Sequence, residues 1–509
     1  MPLLTQGLKG LEKESLRMTA DGHIAQTPHP QALGSALLHP HITTDYSEAL
    51  IELITDAHTD ARATLQQLET IHAFVQRHLA PGERLLGSSM PCLIRSEEDI
   101  PIAHYGSSNV GRMKTIYRQG LAWRYGRAMQ AIAGIHYNYS IAEPLWPALQ
   151  QLAGDTGSLQ DFINARYFAM VRNSLRYGWL ISWLFGHSPA LSRSFFTRPG
   201  ADLSRFQALG ADTLFRPWAT SLRMSDIGYR NDSQSALDIS VNHLDDYVRD
   251  LSQAIQTPWP AYESIGIHPE EGYRQLNTHI LQIENEYYSS IRPKQVAHSG
   301  EKPTLALKNR GVRYLELRCV DLNLFEPCGI SLAQLDFLEI FMLLTLLDDS
   351  PTLDQQAKHQ ASDNALSTAC CGRAPDARLQ RGADSVPLRA WASELLDSMA
   401  LIAASLDEAL GAARYLPCIT DQQLLLEHPE QLPSARMLAA MQSAPGGYLE
   451  VGSTWAARHA AHHQHASIPE SALKALHQSS SASLQAQQQL EASDSMDLAS
   501  YLARYFAQT

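Results

Sequence analysis

A strand that carries ionisable residues at every second position can hide only one of its faces, and this chain contains four segments of that kind. In GVRYLELRCV (311–320), Tyr314, Glu316 and Arg318 share one parity while Leu315, Leu317 and Cys319 share the other. In the segment 131–140, Gly134, His136, Asn138 and Ser140 oppose Ile135, Tyr137 and Tyr139. The spacing predicts a third strand over 279–288 that aligns Gln282, Glu284, Glu286 and Tyr288, and a fourth over 12–18 that aligns Glu12 and Glu14 with Leu16 and Met18. An antiparallel sheet with one wetted face would explain the alternation. It would not explain the choice of residues, because a wetted face is ordinarily a mixture of Lys, Thr and Glu, whereas carboxylates, one His, Arg and Tyr are the contents of an active site. Two carboxylates about 4 Å apart repel by roughly 4 kcal/mol at an effective dielectric near 20, so several in one cleft call for a counter-cation. A hard divalent ion answers that need: magnesium prefers oxygen ligands, and a single imidazole also admits manganese.

A further acidic group lies in ITTDYSEALIELIT (42–55), where 49–55 reads as a strand. Glu48 and Glu52 share parity but Asp45 does not, so a bulge or loop precedes the strand, or one of the three is not a ligand. Helical periodicity appears over 61–79 and 161–184, and the apolar run 337–347 is a buried helix, about half the roughly 20 residues a bilayer needs. Strands not regularly followed by helices indicate an α+β fold built on an antiparallel sheet. The texture changes near residue 350, beyond which Ala, Leu, Ser and Gln dominate. We therefore expect a catalytic body over 1–350 and a mainly helical part over 351–509 packed on it, the two forming one integrated domain. The polar stretch 478–495 reads as a frayed helix or local disorder.

With 40 Lys and Arg against 53 Asp and Glu, the formal charge of -13 disfavours nucleic acid and anionic membranes as partners. The N-terminal segment lacks the apolar core of about 7 residues found in signal peptides, and six cysteines without CxxC spacing suit a reducing cytoplasm. The adjacent Cys370 and Cys371 read as two unrelated thiols. GSSNVGRMKT (106–115) resembles a P-loop in its glycine spacing, but Arg112 stands where the lysine is required. Nucleotide phosphates would then be held by metal and arginine. RHAAHHQH (458–465) offers His459 and His463 at helical spacing without nearby ligand partners, and reads as a solvated helix end.

Several long stretches resemble the proteobacterial type of the glutamate-cysteine ligase family: GLEKESLRM, HPQALGSALLHPHITTDYSEALIELIT, SSMPC, YGSSNVGRMKTIYRQGL, GIHYNYS, ATSLRMSDIGY, LQIENEYYSSIRPK and GVRYLELRCVDLNLFEP. The likeness spans most of the chain and is densest before residue 330. It implies a curved antiparallel sheet forming a funnel of the glutamine synthetase catalytic-domain type, with packed helices. It also implies ATP-dependent ligation of the γ-carboxylate of L-glutamate to the amine of L-cysteine through γ-glutamyl phosphate, the first step of glutathione biosynthesis. By resemblance, Glu12, Glu14, Asp45, Glu52, His136 and Glu316 are metal ligands for Mg²⁺ or Mn²⁺, and Arg318 and Arg223 contact phosphate or the reacting carboxylate. Tyr117, Tyr229 and Tyr288 are similar to the family's cysteine-pocket residues, with Tyr46 standing where some members have Phe. Expected partners are the small-molecule substrates and glutathione as a feedback inhibitor, on a monomer or weak oligomer.

Overall fold

The structure, a computed structural model, describes residues 2–198, 200, 202–228, 237–268, 270 and 272–508. Its centre is a seven-stranded sheet made from β1 (Leu8–Met18), β2 (Ile42–Thr44), β3 (Leu50–Ile54), β4 (Arg84–Leu85), β5 (Ile135–Ser140), β9 (Ile291–Lys294) and β10 (Tyr314–Val320). The order is β2-β3-β1-β5-β10-β9, with β4 added beside β1, and every pairing is antiparallel. The α+β class read from the sequence is the one observed. A separate small sheet joins β6 (Ala190–Ser192), β7 (Gln207–Leu209) and β8 (Thr213–Phe215).

Alternation decides what each face of the large sheet meets. Tyr137, Tyr139, Leu315, Leu317 and Cys319 are buried on the helix-covered face. There Lys9 of β1 reaches Glu339 of the helix Leu332–Leu347 at 2.6 Å, both side chains almost fully buried, and Tyr415 donates to the other carboxylate oxygen at 2.9 Å. Losing one partner of so deeply buried a pair costs about 3–5 kcal/mol, so this contact fixes the helix to the sheet. The helices start where capping side chains permit: Asp60 accepts from the Arg62 amide before α1 (Ala61–His78), and Ser108 from the Gly111 amide before α2 (Asn109–Tyr125). No helix among the described residues is long and apolar enough to cross a membrane.

Four expectations are corrected. The segment 279–288 is not a strand: it forms a short 3-10 turn, Glu284–Glu286, after a single bridge between Pro258 and His279. Side chains supplant the ladder there, with Glu286 accepting from the Gln282 amide at 2.6 Å and Asn277 donating to the Gln282 carbonyl at 2.9 Å. The helix expected over 161–184 is two, Leu159–Tyr177 and Trp179–Phe185, separated at Gly178. The polar stretch 478–495 belongs largely to a continuous helix, Glu470–Ser493, which buries Leu476, Ser480 and Ser483. His459 and His463 are buried rather than solvated; their Nε2 atoms bond the Leu324 and Pro327 carbonyls at 2.8 and 3.0 Å.

Candidate active site

The opposite face of the sheet gathers its polar side chains by register. Glu14 pairs with Glu52 across β1 and β3, Glu12 with His136 across β1 and β5, and Asn138 with Glu316 across β5 and β10. Cross-strand partners point the same way, so one row of side chains spans four strands. Glu12, His136 and Glu316 offer ligand atoms that all lie within 4.8 Å of one another. His136 Nδ1 sits 3.1 Å from Glu12 Oε2 and 3.8 Å from Glu316 Oε1, while its Nε2 lies 3.7 Å from Glu14 Oε1. Asn138 donates to Glu12 Oε1 at 2.9 Å, which orients that carboxylate.

Asp45 escapes the parity problem because it lies in a loop between β2 and β3, its amide donating to the Leu50 carbonyl at 2.9 Å. Glu48 leaves the group: it accepts from the His29 and His104 amides at 2.8 and 2.9 Å and ties two loops together.

Crowding perturbs these carboxyls in opposite directions. Burial, then Glu12, Asp45, Glu14 and Glu316, push Glu52 well above the ordinary carboxylate range. Burial also raises Glu14, against the pull of His136. Glu316 is held well below that range: burial would raise it, but Lys294, Arg318, His136 and Arg292 outweigh burial. Glu12 is lowered as well, the His136 hydrogen bond and nearby cations overcoming the effect of burial. Buried carboxylates that repel one another and share one imidazole form an oxygen-rich donor set, which fits magnesium or manganese.

Beside this row lies a cavity whose lining includes Glu14, Asp45, Tyr46, Tyr117, Tyr288 and Arg223, together with Arg318 and His136. Arg223 is almost fully buried and donates to the Arg318 carbonyl at 2.7 Å. Its guanidinium stands 3.9 Å from Asp321, which in turn accepts from Ser188, Ser221 and the His187 amide at 2.6, 2.9 and 2.8 Å. Arg318 shares the face of Glu316, and its NH1 lies 3.0 Å from Glu316 Oε2; the pairing of β10 with β5 shifts register between Leu317 and Val320. Tyr46, Tyr117 and Tyr288 reach the cavity together, and Tyr229 lies outside the described residues.

Arg118, Gln130 and Arg292, which the sequence did not single out, also line the cavity, as does Glu286, which strand parity placed on a polar face but which was not among the expected site residues. Arg118, Glu286 and Arg292 sit inside stretches already notable for their resemblance, next to or near chosen tyrosines, so proximity in the chain was a usable signal. Glu286 faces the cavity with its carboxylate paired to Arg124 at 2.9 Å and to the Tyr125 hydroxyl at 2.6 Å.

Known proteins resemble this chain along most of its length. A family model described as glutamate-cysteine ligase matches residues 1–368. A glutamate–cysteine ligase of Alcanivorax borkumensis is 47% identical over 504 residues, covering 98% of this chain and 95% of that protein. One from Pseudomonas aeruginosa is 46% identical over 508 residues, covering 100% and 95%. The crystal structure of the Francisella tularensis glutamate–cysteine ligase in complex with AMP superposes with a TM-score of 0.92 at 35% identity, covering 98% of this chain and 97% of the other.

Proposed function

This chain belongs to the glutamate-cysteine ligase family and forms γ-glutamylcysteine from L-glutamate, L-cysteine and ATP in glutathione biosynthesis; we propose that it does so through γ-glutamyl phosphate, on the polar face of the sheet. The convergence of Glu12, His136 and Glu316 beside a cavity that holds Arg223 and Arg318 is the observation that carries this reading. In it the sheet is the wall of a funnel of the glutamine synthetase catalytic-domain type. Residues 1–350 supply the catalytic body, and 351–509 buttress it within one integrated domain.

A carboxylate is a poor electrophile, and phosphorylation by ATP gives it a leaving group. Glu12, His136 and Glu316, with Glu14, Asp45 and Glu52 around them, would hold Mg²⁺ or Mn²⁺, and such ions supply charge neutralisation for the phosphates. Arg318 faces the space between that row and the cavity, where a guanidinium steadies the charge that develops as the phosphoryl group moves. Arg223, anchored from behind by the Arg318 carbonyl and Asp321, presents a fixed positive charge to the glutamate carboxylate. Tyr46, Tyr117 and Tyr288 form the pocket for the cysteine side chain, to which the family resemblance adds Tyr229. Such a pocket separates near-isosteres by only about 1–3 kcal/mol, so 2-aminobutyrate is an expected poor substitute for cysteine. Glutathione, which contains the product dipeptide, acts in this reading as a feedback inhibitor.

The test is ADP release from ATP and Mg²⁺ with L-glutamate, with and without L-cysteine, together with trapping of the intermediate as hydroxamate. Hydroxamate formed from glutamate and ATP when hydroxylamine replaces cysteine supports the acyl phosphate. ADP release with γ-glutamylcysteine as product but no hydroxamate would leave the activity standing and remove the intermediate.

A further inference from the structure

Across the polar face the charge changes sign. Glu52, Glu14 and Glu12 occupy β3 and β1, His136 the middle, and Arg318, Arg292 and Lys294 the β10 and β9 side. In β9, Arg292 pairs with Glu316 and Lys294 with Tyr314, which places both cations on the face that carries the acidic row. Their surroundings differ. Arg292 is buried, lines the amino-acid cavity, and donates to the Asn285 and Tyr287 carbonyls. Lys294 does not line that cavity; its side chain is 26% exposed and its Nζ lies 3.1 Å from Glu316 Oε2. Arg318 reaches the same oxygen at 3.0 Å from four residues further along β10 than Tyr314, the partner of Lys294. Glu316 Oε2 therefore sits between two cations that approach from opposite directions along the strand.

We propose that Lys294 is a substrate-binding residue for ATP, its ammonium holding the phosphates that are not transferred. The inference rests on the reading that the nucleotide phosphates lie along this face. Arg318 is at the amino-acid end, so the phosphoryl group that moves to glutamate lies near it. The rest of the chain of phosphates would then extend past Glu316, away from the cavity, and Lys294 is a cation on the same face beside Glu316. The residue after it, Gln295, lines a second cavity of about 820 Å³ with Leu8, Ser140 and Arg313, at the ends of β1 and β5 and the start of β10. When cations bind the carboxylate row, Glu316 no longer depends on Lys294 for neutralisation, and the flexible, strongly hydrated ammonium can turn to phosphate oxygens.

The test is calorimetric binding of AMP, ADP and ATP in Mg²⁺ to the full-length protein and its Lys294→Met and Lys294→Arg variants, with thermal melting to establish that each is folded. The expected result is that Lys294→Met weakens ADP and ATP at least fivefold and AMP less than twofold. Lys294→Arg should recover most of the loss, and the KM values for L-glutamate and L-cysteine should stay within about twofold. Equal weakening of all three nucleotides, or no weakening of ADP, overturns the proposal. A wild-type protein that binds ATP but shows either of those patterns in Lys294→Met defeats this inference alone, whereas a wild-type protein that binds no nucleotide defeats the reading beneath it.

Discussion

Asp494 grips the first residue of α2: one carboxylate oxygen accepts from the Asn109 amide at 2.5 Å and the other from Asn109 Nδ2 at 2.7 Å. A carboxylate at a helix N-terminus satisfies an otherwise unpaired amide and complements the helix dipole. Two turns further, the same helix presents Tyr117 and Arg118 to the cavity beside the acidic row, the proposed amino-acid site. Leu498 and Leu502 of the last helix pack on Met113 and Ile116 of α2, so the C-terminal segment braces a wall of the site. Asp494→Ala should cost about 1 kcal/mol of stability and raise the KM for L-cysteine at least threefold, with the KM for ATP little changed. Steady-state kinetics with each substrate varied in turn decides it; an unmoved cysteine KM would show that the brace is not felt at the pocket.

Arg318→Lys should lower turnover at least tenfold. The bridge to Glu316 uses one guanidinium nitrogen, NH1, leaving a planar fork that a single ammonium cannot reproduce. Rapid-quench measurement of the phosphoryl-transfer step reads the effect directly, and a rate equal to wild type removes Arg318 from that step.

Gly134 has no side chain because Arg223 occupies the space: a Cβ there would overlap the guanidinium, while the Gly134 amide donates to Glu14 Oε2 at 2.7 Å. Gly134→Ala must therefore displace Arg223, at an overpacking cost of about 1–3 kcal/mol. We expect a folded protein with a lower melting temperature and a kcat reduced at least tenfold. Circular dichroism beside kinetics separates the two effects, and full activity would show that Arg223 can move without consequence.

Strand parity exposed Glu12, Glu14, His136, Glu316 and Arg318 in the sequence because the face of a strand residue is a local property. The same argument failed at 279–288, where Glu284 and Glu286 alternate like strand residues but their carboxylates are spent on Thr304, Arg124 and the Gln282 amide. Lys294 was passed over because its place depends on the register of β9 against β10, set by residues outside its own segment. His463 was misread for a related reason: its cover comes from His72 of α1, which stacks on it at 4.6 Å. The stretch 478–495 reads as a frayed helix or local disorder, yet its polar side chains have distant partners, Ser483 accepting from the Ser35 amide at 3.0 Å and Glu491 from the Ser107 amide at 2.9 Å.

Glu52→Gln should separate stability from metal affinity. The half-buried Glu52 carboxyl is pushed up by desolvation and by four neighbouring carboxylates, so a neutral isostere relieves repulsion in the metal-free protein. We expect the variant to melt at a higher temperature than wild type in EDTA, by an amount equivalent to at least about 1 kcal/mol, and to gain less from added Mg²⁺. Thermal melts across a magnesium series check both. A variant that is less stable in EDTA would mean that Glu52 is already compensated within the protein.

His463 supplies a pH test away from the catalytic face. Burial drives its folded pKa down to about 4, outweighing the hydrogen bond to the Pro327 carbonyl, and Lys13, His462 and His459 add to the fall. His187 is likewise pushed down to about 3 by burial. In the unfolded chain a histidine titrates near 6.5, so between the two values the unfolded state binds more protons and stability rises with pH. The contribution is complete above about pH 6.5 and is lost as pH falls toward the folded values. From pH 7 to pH 5 each such histidine should remove about 2 kcal/mol. His463→Gln keeps a donor for the Pro327 carbonyl but cannot take up the proton, so its urea-unfolding free energy should fall less than that of wild type over this interval, by about that amount. Equal losses in the two proteins would show that His463 is protonated in the folded state or screened by water, and that the acid sensitivity arises elsewhere.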